Sequence, residues 1–333
     1  MISRPELGVL DARGPRPTTL RSCSIVAAEA TASGWELFRT ARKASASTMR
    51  GPSASIDKEA PLPGLAKQAL KWTAVAVDTI RRPPRGVVVL IYHRVGRRSA
   101  LDVDLAVADF THQMEYLATS QRVVSLDEAL DRLDETAPAD SGAGPIVITF
   151  DDGTADFAEL AYPVLARLGL AATLYVATDF VDAQRPFPNN GTPISWSALA
   201  DVQAGGLITI GSHTHTHALL DRLEPAAIAM ELDRADDLIE EQLGHRPRHF
   251  AYPKAVAGST PADAAVRTRY RSAALAGTHA NPYRTTDPHR LARTPIQHSD
   301  GMRFFMTKAA GGMRMEDTLR VSANRWRYRS ATT

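Results

Sequence analysis

Asp151 and Asp152 stand side by side directly after a continuous apolar run, Ile146–Phe150. About 60 residues later come three histidines in five positions, His213-Thr214-His215-Thr216-His217. Two adjacent carboxylates at the end of a buried segment are costly unless a positive group sits beside them. One reading is a metal ligand next to a general base. The other is a helix N-cap with a flanking acid, because Ala155–Leu168 has helical character. Neutral imidazole is a strong ligand for zinc-like ions. His213 and His217 share a face only if the segment turns. In extended chain they would lie about 13 Å apart, and His213 with His215 or His215 with His217 would pair instead. Two imidazoles and a carboxylate leave open positions on an ion, the pattern of a catalytic site. Such an ion activates water and polarises a carbonyl.

The elements that must position these groups alternate. Buried strands are expected at Val87–Tyr92, Ile146–Phe150, Ala172–Val176, Leu207–Ile210, His249–Tyr252 and Ser272–Leu275, with a last apolar segment at Leu291–Ile296. A short strand is expected at Val123–Leu126. Helices are expected at Phe110–Leu117, Asp127–Leu133, Ala155–Leu168, Ser197–Gln203, Ala226–Leu243 and Pro261–Thr268. This order predicts an α/β fold with mostly parallel strands, either an open sheet or an incomplete barrel. Chemistry is then expected at the carboxyl ends of the strands. Four of them end in ionisable groups: His93-Arg94, Asp151-Asp152, the histidine run, and Pro253-Lys254.

The chain has 333 residues and one cysteine, Cys23, so neither an internal disulfide nor a cysteine metal cluster is available. Residues 1–85 carry 14 basic and 7 acidic side chains, and residues 301–333 carry 7 and 2. The middle, with 18 and 28, is acidic. That partition argues against nucleic acid as a partner, which would draw positive charge to the folded part. Residues 1–60 read as a disordered extension with no evident signal peptide, and Met49 is an alternative start. Residues 61–85 read as an amphipathic helix, Leu65–Ile80, and a linker. The helix docks on the core or makes peripheral contact with a membrane. Residues 86–310 form the catalytic domain and 311–333 a basic tail. No run is long enough to span a bilayer.

Haloacid dehalogenase-type phosphatases place a nucleophilic aspartate two positions before a second aspartate. Here that position is Phe150, which excludes the reading. Thr149-Phe150-Asp151-Asp152-Gly153 with His213-Thr214-x-x-His217 instead resembles the first two motifs of the polysaccharide deacetylases, the NodB-like domain of carbohydrate esterase family 4. Leu90–Val95, Phe110–Leu117, Phe250-Ala251-Tyr252-Pro253 and Arg290-Leu291-Ala292-Arg293 resemble further segments of the branch acting on exopolysaccharide, the poly-N-acetylglucosamine deacetylases. The resemblance implies a distorted, incomplete (β/α) barrel. It implies Asp152, His213 and His217 as ligands of one divalent ion, zinc first, with cobalt, nickel or iron as alternatives. Asp151 is implied as general base, and His215 falls on a variable position. Lys254 is expected to offer its backbone N–H to the oxyanion. Tyr252, Pro253 and Trp196 are expected to contact substrate.

The sequence departs from the family pattern in four places. Ala251 stands where many members carry the arginine that holds the base, Lys254 stands where an aromatic often follows, the Asp-Trp motif is missing between 254 and 290, and the closing histidine motif is blurred around Ile296-Gln297-His298. His93 is therefore the expected general acid, with His298 as the runner-up. Asp156 is expected to stabilise a helix N-terminus. His112, His245, His249, His279 and His289 are expected on the surface or in loops. The implied reaction is removal of N-acetyl groups from an N-acetylglucosamine-containing polysaccharide, outside the membrane or in the cell envelope. Two other readings use the same residues: amide or O-ester hydrolysis on a non-glycan substrate, and a catalytically silent glycan-binding module.

Overall fold

Every residue of β1 (Gly86–Tyr92), β4 (Ile146–Phe150) and β5 (Ala172–Val176) is buried, as continuous apolar runs require. In the computed structural model the residues described are 64–80, 84–135 and 144–316. The expectations for residues 1–60 and for the tail beyond residue 316 lie outside them. Two short strands, β2 (Arg94–Val95) and β3 (Asp104–Leu105), pair with each other. The sheet continues with β6 (Ile208–Ser212), β7 (His249–Ala251) and β8 (Ser272–Ala274), and ends with β9 (Asn281–Pro282) and β10 (Arg293–Pro295). The strand order is β10-β1-β4-β5-β6-β7-β8, all parallel, with β9 antiparallel to β1. The sheet curls until Leu291, ahead of β10, meets Ala274 of β8 in a single bridge. The result is the distorted, incomplete (β/α) barrel.

Strand alternation sorts the side chains. Val87 and Val89 meet Val147, Tyr175, Ala251, Ala274 and Leu291 in the barrel interior. Val88, Leu90 and Tyr92 join Ile148, Phe150 and Leu174 beneath the outer helices. Gly211 is required inside, because a Cβ there would stand 2.5 Å from the Tyr175 ring. The rings of Tyr92, Phe110 and Phe157 lie 4.9–5.9 Å from that of Phe150. Each buried ring contributes roughly 2–3 kcal/mol, so the residue before Asp151 is firmly seated.

The outer helices are α2 (Val107–Ser120), α3 (Leu126–Leu133), α4 (Tyr162–Leu168), α5 (Thr178–Asp182), α6 (Trp196–Ala204), α7 (Pro225–Leu243), α8 (Thr260–Arg269) and α9 (Gly301–Ala309); all but α5 and α9 answer an expected helix. Two expectations need correction. Val123–Leu126 is no strand: Val123 makes one bridge to Ile146, and α3 begins at Leu126 because Ser125 caps the Glu128 N–H. The Ala155–Leu168 helix contains a π-turn at Phe157–Ala161. Pro163 has no N–H to continue the ladder, and the Tyr162 N–H reaches back to Phe157.

The helix α1 (Gly64–Ile80) docks on α9. Lys71 is buried, with Nζ 2.6 Å from Asp300 Oδ1, and Lys308 holds the same carboxylate from the other side. Trp72 packs edge-on to Phe304 at 5.6 Å, and Asp78 accepts the Met313 N–H. Trp72 and Val77 remain exposed on the outward face.

Behind the end of β6, Tyr270 donates to Asp236 Oδ1 at 2.8 Å and to Ser212 Oγ at 3.3 Å. Burial pushes the Asp236 carboxyl up to about 7, against the Tyr270 hydrogen bond and Arg246. The folded value lies above the ordinary 3.8, so the folded state holds a proton that the unfolded chain has lost. Its contribution to stability is complete below about pH 4 and disappears as pH rises through 7. Asp236→Asn is expected to remove that dependence. Between pH 5 and 7 the variant should gain on the wild type by roughly 1 kcal/mol per pH unit in denaturant titrations. A constant difference across that range would contradict the shift.

Candidate metal centre and active site

One nitrogen each from His213 and His217 and one oxygen of Asp152 lie within 4.8 Å of one another. Asp152 Oδ1 is 3.5 Å from His217 Nε2 and 3.8 Å from His213 Nε2. Around an ion with bonds of about 2.1 Å, tetrahedral ligand atoms lie about 3.4 Å apart. The two Asp152 distances match that spacing, and the three donors converge as one zinc-like ion requires.

Local backbone explains the convergence. Asp152 (φ 73°) and Gly153 (φ 90°) turn the chain sharply off β4. Thr214 (φ 64°) and His217 (φ 60°) do the same after β6, so His213 and His217 meet across a turn. His215 points elsewhere: its Nδ1 is 2.9 Å from Thr178 Oγ1, and its Nε2 is 3.9 Å from Asp179 Oδ1. His213 is 1% exposed, and its Nδ1 donates to the Ala251 carbonyl at 2.7 Å. That bond assigns the tautomer with a bare Nε2, the form that ligates. Burial, then His213, push the His217 imidazole down to about 4 despite Asp152, so His217 is neutral at pH 7.

Asp151 lies deeper, 3% exposed. It meets the fully buried Arg293 of β10 in a two-pronged pair, Nη1 to Oδ1 at 2.5 Å and Nη2 to Oδ2 at 2.8 Å. Arg293 also donates to Thr149 Oγ1 and the Leu275 carbonyl. Burial alone would raise the Asp151 carboxyl, but the Arg293 guanidinium, helped by His213, holds it at about 2. The fork uses two of the four lone-pair sites of the carboxylate. Oδ2 lies 3.9 Å from His213 Nε2 and so faces the ligand cluster. Arg293 thus stands where the expected arginine at position 251 is missing. The sequence signal for it was a cation within the largely apolar segment Leu291–Ile296.

The other expected site residues are distributed unevenly. His93 stands close enough to Asp151 to help lower its carboxyl, and its buried Nδ1 has no hydrogen-bond partner among the described residues. Lys254 is exposed, its charge acts on His217, and its backbone is left-handed (φ 52°). Pro253 is buried beside it. Tyr252 is 1% exposed and packs edge-on to Phe250, so its ring belongs to the core and offers no face to a sugar. Trp196 packs on the core at the start of α6, its Nε1 3.4 Å from Asp182 Oδ1. His298 pairs with Asp109, 3.5 Å away on α2.

Asp156 stands at the N-terminus of the π-turn, as expected, and there it is buried and accepts the Val95 N–H at 2.8 Å, which ties β2 to that turn. One further expectation is corrected. His249 is fully buried at the start of β7, between Ser272 Oγ at 2.9 Å and Asp127 at 3.4 Å.

A family model described as polysaccharide deacetylase matches residues 139–273. That stretch holds Asp151, Asp152, His213 and His217 but neither His93 nor Arg293. A chitin deacetylase of Arthroderma benhamiae is 30% identical over 111 residues, 33% of this chain and 28% of that protein. The Bacillus subtilis protein YxkH is 24% identical over 190 residues, 56% of this chain and 63% of its own. The chain thus spans less than two thirds of these curated relatives. Among solved structures, IcaB from Ammonifex degensii superposes with a TM-score of 0.59 at 25% identity, covering 68% of this chain and 98% of that one. The Streptococcus pyogenes deacetylase PplD, in complex with acetate, superposes at 0.58 and 19% identity, covering 68% and 99%, and supports the fold.

Proposed function

We propose that the chain carries a polysaccharide deacetylase domain of the NodB-like, carbohydrate esterase family 4 type, and that it removes N-acetyl groups from an N-acetylglucosamine-containing polysaccharide, releasing acetate. The observation that carries this reading is Asp151, clamped by Arg293, directly beside the Asp152–His213–His217 cluster. Those three residues would hold one divalent ion, zinc first, which when bound would supply Lewis acidity for the acetyl carbonyl and for water.

The remaining roles belong to the protein. Asp151 Oδ2 takes a proton from the attacking water with a lone pair that Arg293 leaves free. Arg293 keeps that carboxylate ionised and oriented, at the cost of basicity. Lys254 offers its backbone N–H to the oxyanion at the rim. His93 gives a proton to the departing amine. His298, paired with Asp109 on α2, has no described contact with Asp151, which supports His93 over it.

The proposed substrate class fits an enzyme of the cell envelope or of the outside of the cell. No helix among the described residues is long and apolar enough to cross a membrane. The outward face of α1, with Trp72 and Val77, is the surface for peripheral contact with one.

The test is acetate release from N-acetylglucosamine oligomers in β-1,4 and β-1,6 linkage by the zinc-loaded chain, with and without chelator. Chelator-sensitive acetate from one linkage series is expected. A bound ion with no acetate from any oligomer would overturn the substrate assignment.

A further inference from the structure

Resting on the metal-centre reading above, we infer that Glu231 is the positioning residue that holds His217 where it can take an ion. Glu231 stands on α7, outside the Asp152–His213–His217 group. Its Oε2 accepts the Thr216 backbone N–H at 2.8 Å, and its Oε1 accepts the Thr216 hydroxyl at 2.8 Å. Thr216 immediately precedes His217, so both carboxylate oxygens are committed to the residue next to the ligand.

The turn needs such a hold. Left-handed backbone at Thr214 and His217 costs on the order of 1 kcal/mol at each position. It persists only where the surroundings over-determine it. Two backbone ties secure the front of the turn: the Asp179 N–H to the His215 carbonyl at 2.8 Å, and the Thr178 N–H to the Thr214 carbonyl at 3.4 Å. Both stop at His215. Among the described hydrogen bonds, the tie at Thr216 is Glu231, and it is charge-assisted on both arms. Without it, His217 is free to leave its position 3.5 Å from Asp152 Oδ1.

Substitution separates geometry from charge. A glutamine at 231 can accept the Thr216 N–H with its carbonyl and donate its amide to the Thr216 hydroxyl, keeping both contacts. Alanine keeps neither.

Cobalt(II) affinity of the full chain, by chelator competition and the visible cobalt spectrum, is the readout. Glu231→Ala is expected to weaken binding about tenfold to a hundredfold, with the metal-free chain still folded at the assay temperature. Glu231→Gln should stay within about threefold of wild type, and Thr216→Val, which removes only the hydroxyl donor, should fall between. Wild-type affinity in both Glu231→Ala and Thr216→Val, with His217→Ala weakened, overturns the inference and leaves the metal centre standing. A glutamine variant as weak as the alanine variant also overturns it. Wild-type affinity in His217→Ala removes the metal-centre reading itself, and the inference with it.

Discussion

Asp151→Asn is expected to lower turnover by about a thousandfold while the chain still binds its ion. General-base catalysis contributes typically about 10²–10⁴ to rate, and an amide has no basic lone pair to replace the carboxylate. The ion should stay because Asp151 lies outside the three-residue ligand group. Substrate affinity should change far less than turnover, since the lost interaction belongs to proton transfer. The check is kcat together with metal content on the same preparation. Undiminished kcat with the ion bound would remove Asp151 from the role of base. The variant also strands the Arg293 guanidinium, fully buried and fixed on two carboxylate oxygens. A stability cost must therefore accompany the kinetic one, and the assay belongs at a temperature where the folded fraction is verified.

That coupling carries the second large effect. Arg293→Met is expected to destabilise the chain by about 3–5 kcal/mol, because it leaves a buried carboxylate without its partner. The sign with pH follows from the wild-type pair. The folded Asp151 value, about 2, lies below the ordinary 3.8. Its contribution to stability is therefore present above about pH 4 and lost as pH falls through 2. In chelator, the gap between wild type and Arg293→Met should narrow as pH falls from 5 towards 2. Combining Asp151→Asn with Arg293→Met should recover much of the stability and none of the turnover, since the two changes share one interaction. Strict additivity in the double variant, measured by denaturant unfolding, would show that the pair is not the unit described here.

Residue type and position made much of this site legible in the sequence. Carboxylates after one buried run and histidines after another had to meet at a common rim once the strands were parallel. The turn that joins His213 to His217 was not legible, because it depends on left-handed backbone at Thr214 and His217, which no side-chain pattern announces. Arg293 was read only as part of a late strand. Its partner is 142 residues away in the chain, and β10 is three residues long, too short to display alternation. Tyr252 and His249 failed for a related reason. Each sits on or beside β7, where register decides which face is core, and register is a property of neighbouring strands. Pro163 could have warned that the helix over 155–168 would not run unbroken.

The central claim is that Asp152, His213 and His217 hold the ion on which acetate release depends. Metal per chain and acetate released, measured together on zinc-reconstituted wild type and Asp152→Ala, test it most directly. The expected result is one ion per wild-type chain with chelator-sensitive acetate release, and neither in Asp152→Ala. Acetate release that survives both the chelator and the Asp152→Ala change would contradict it.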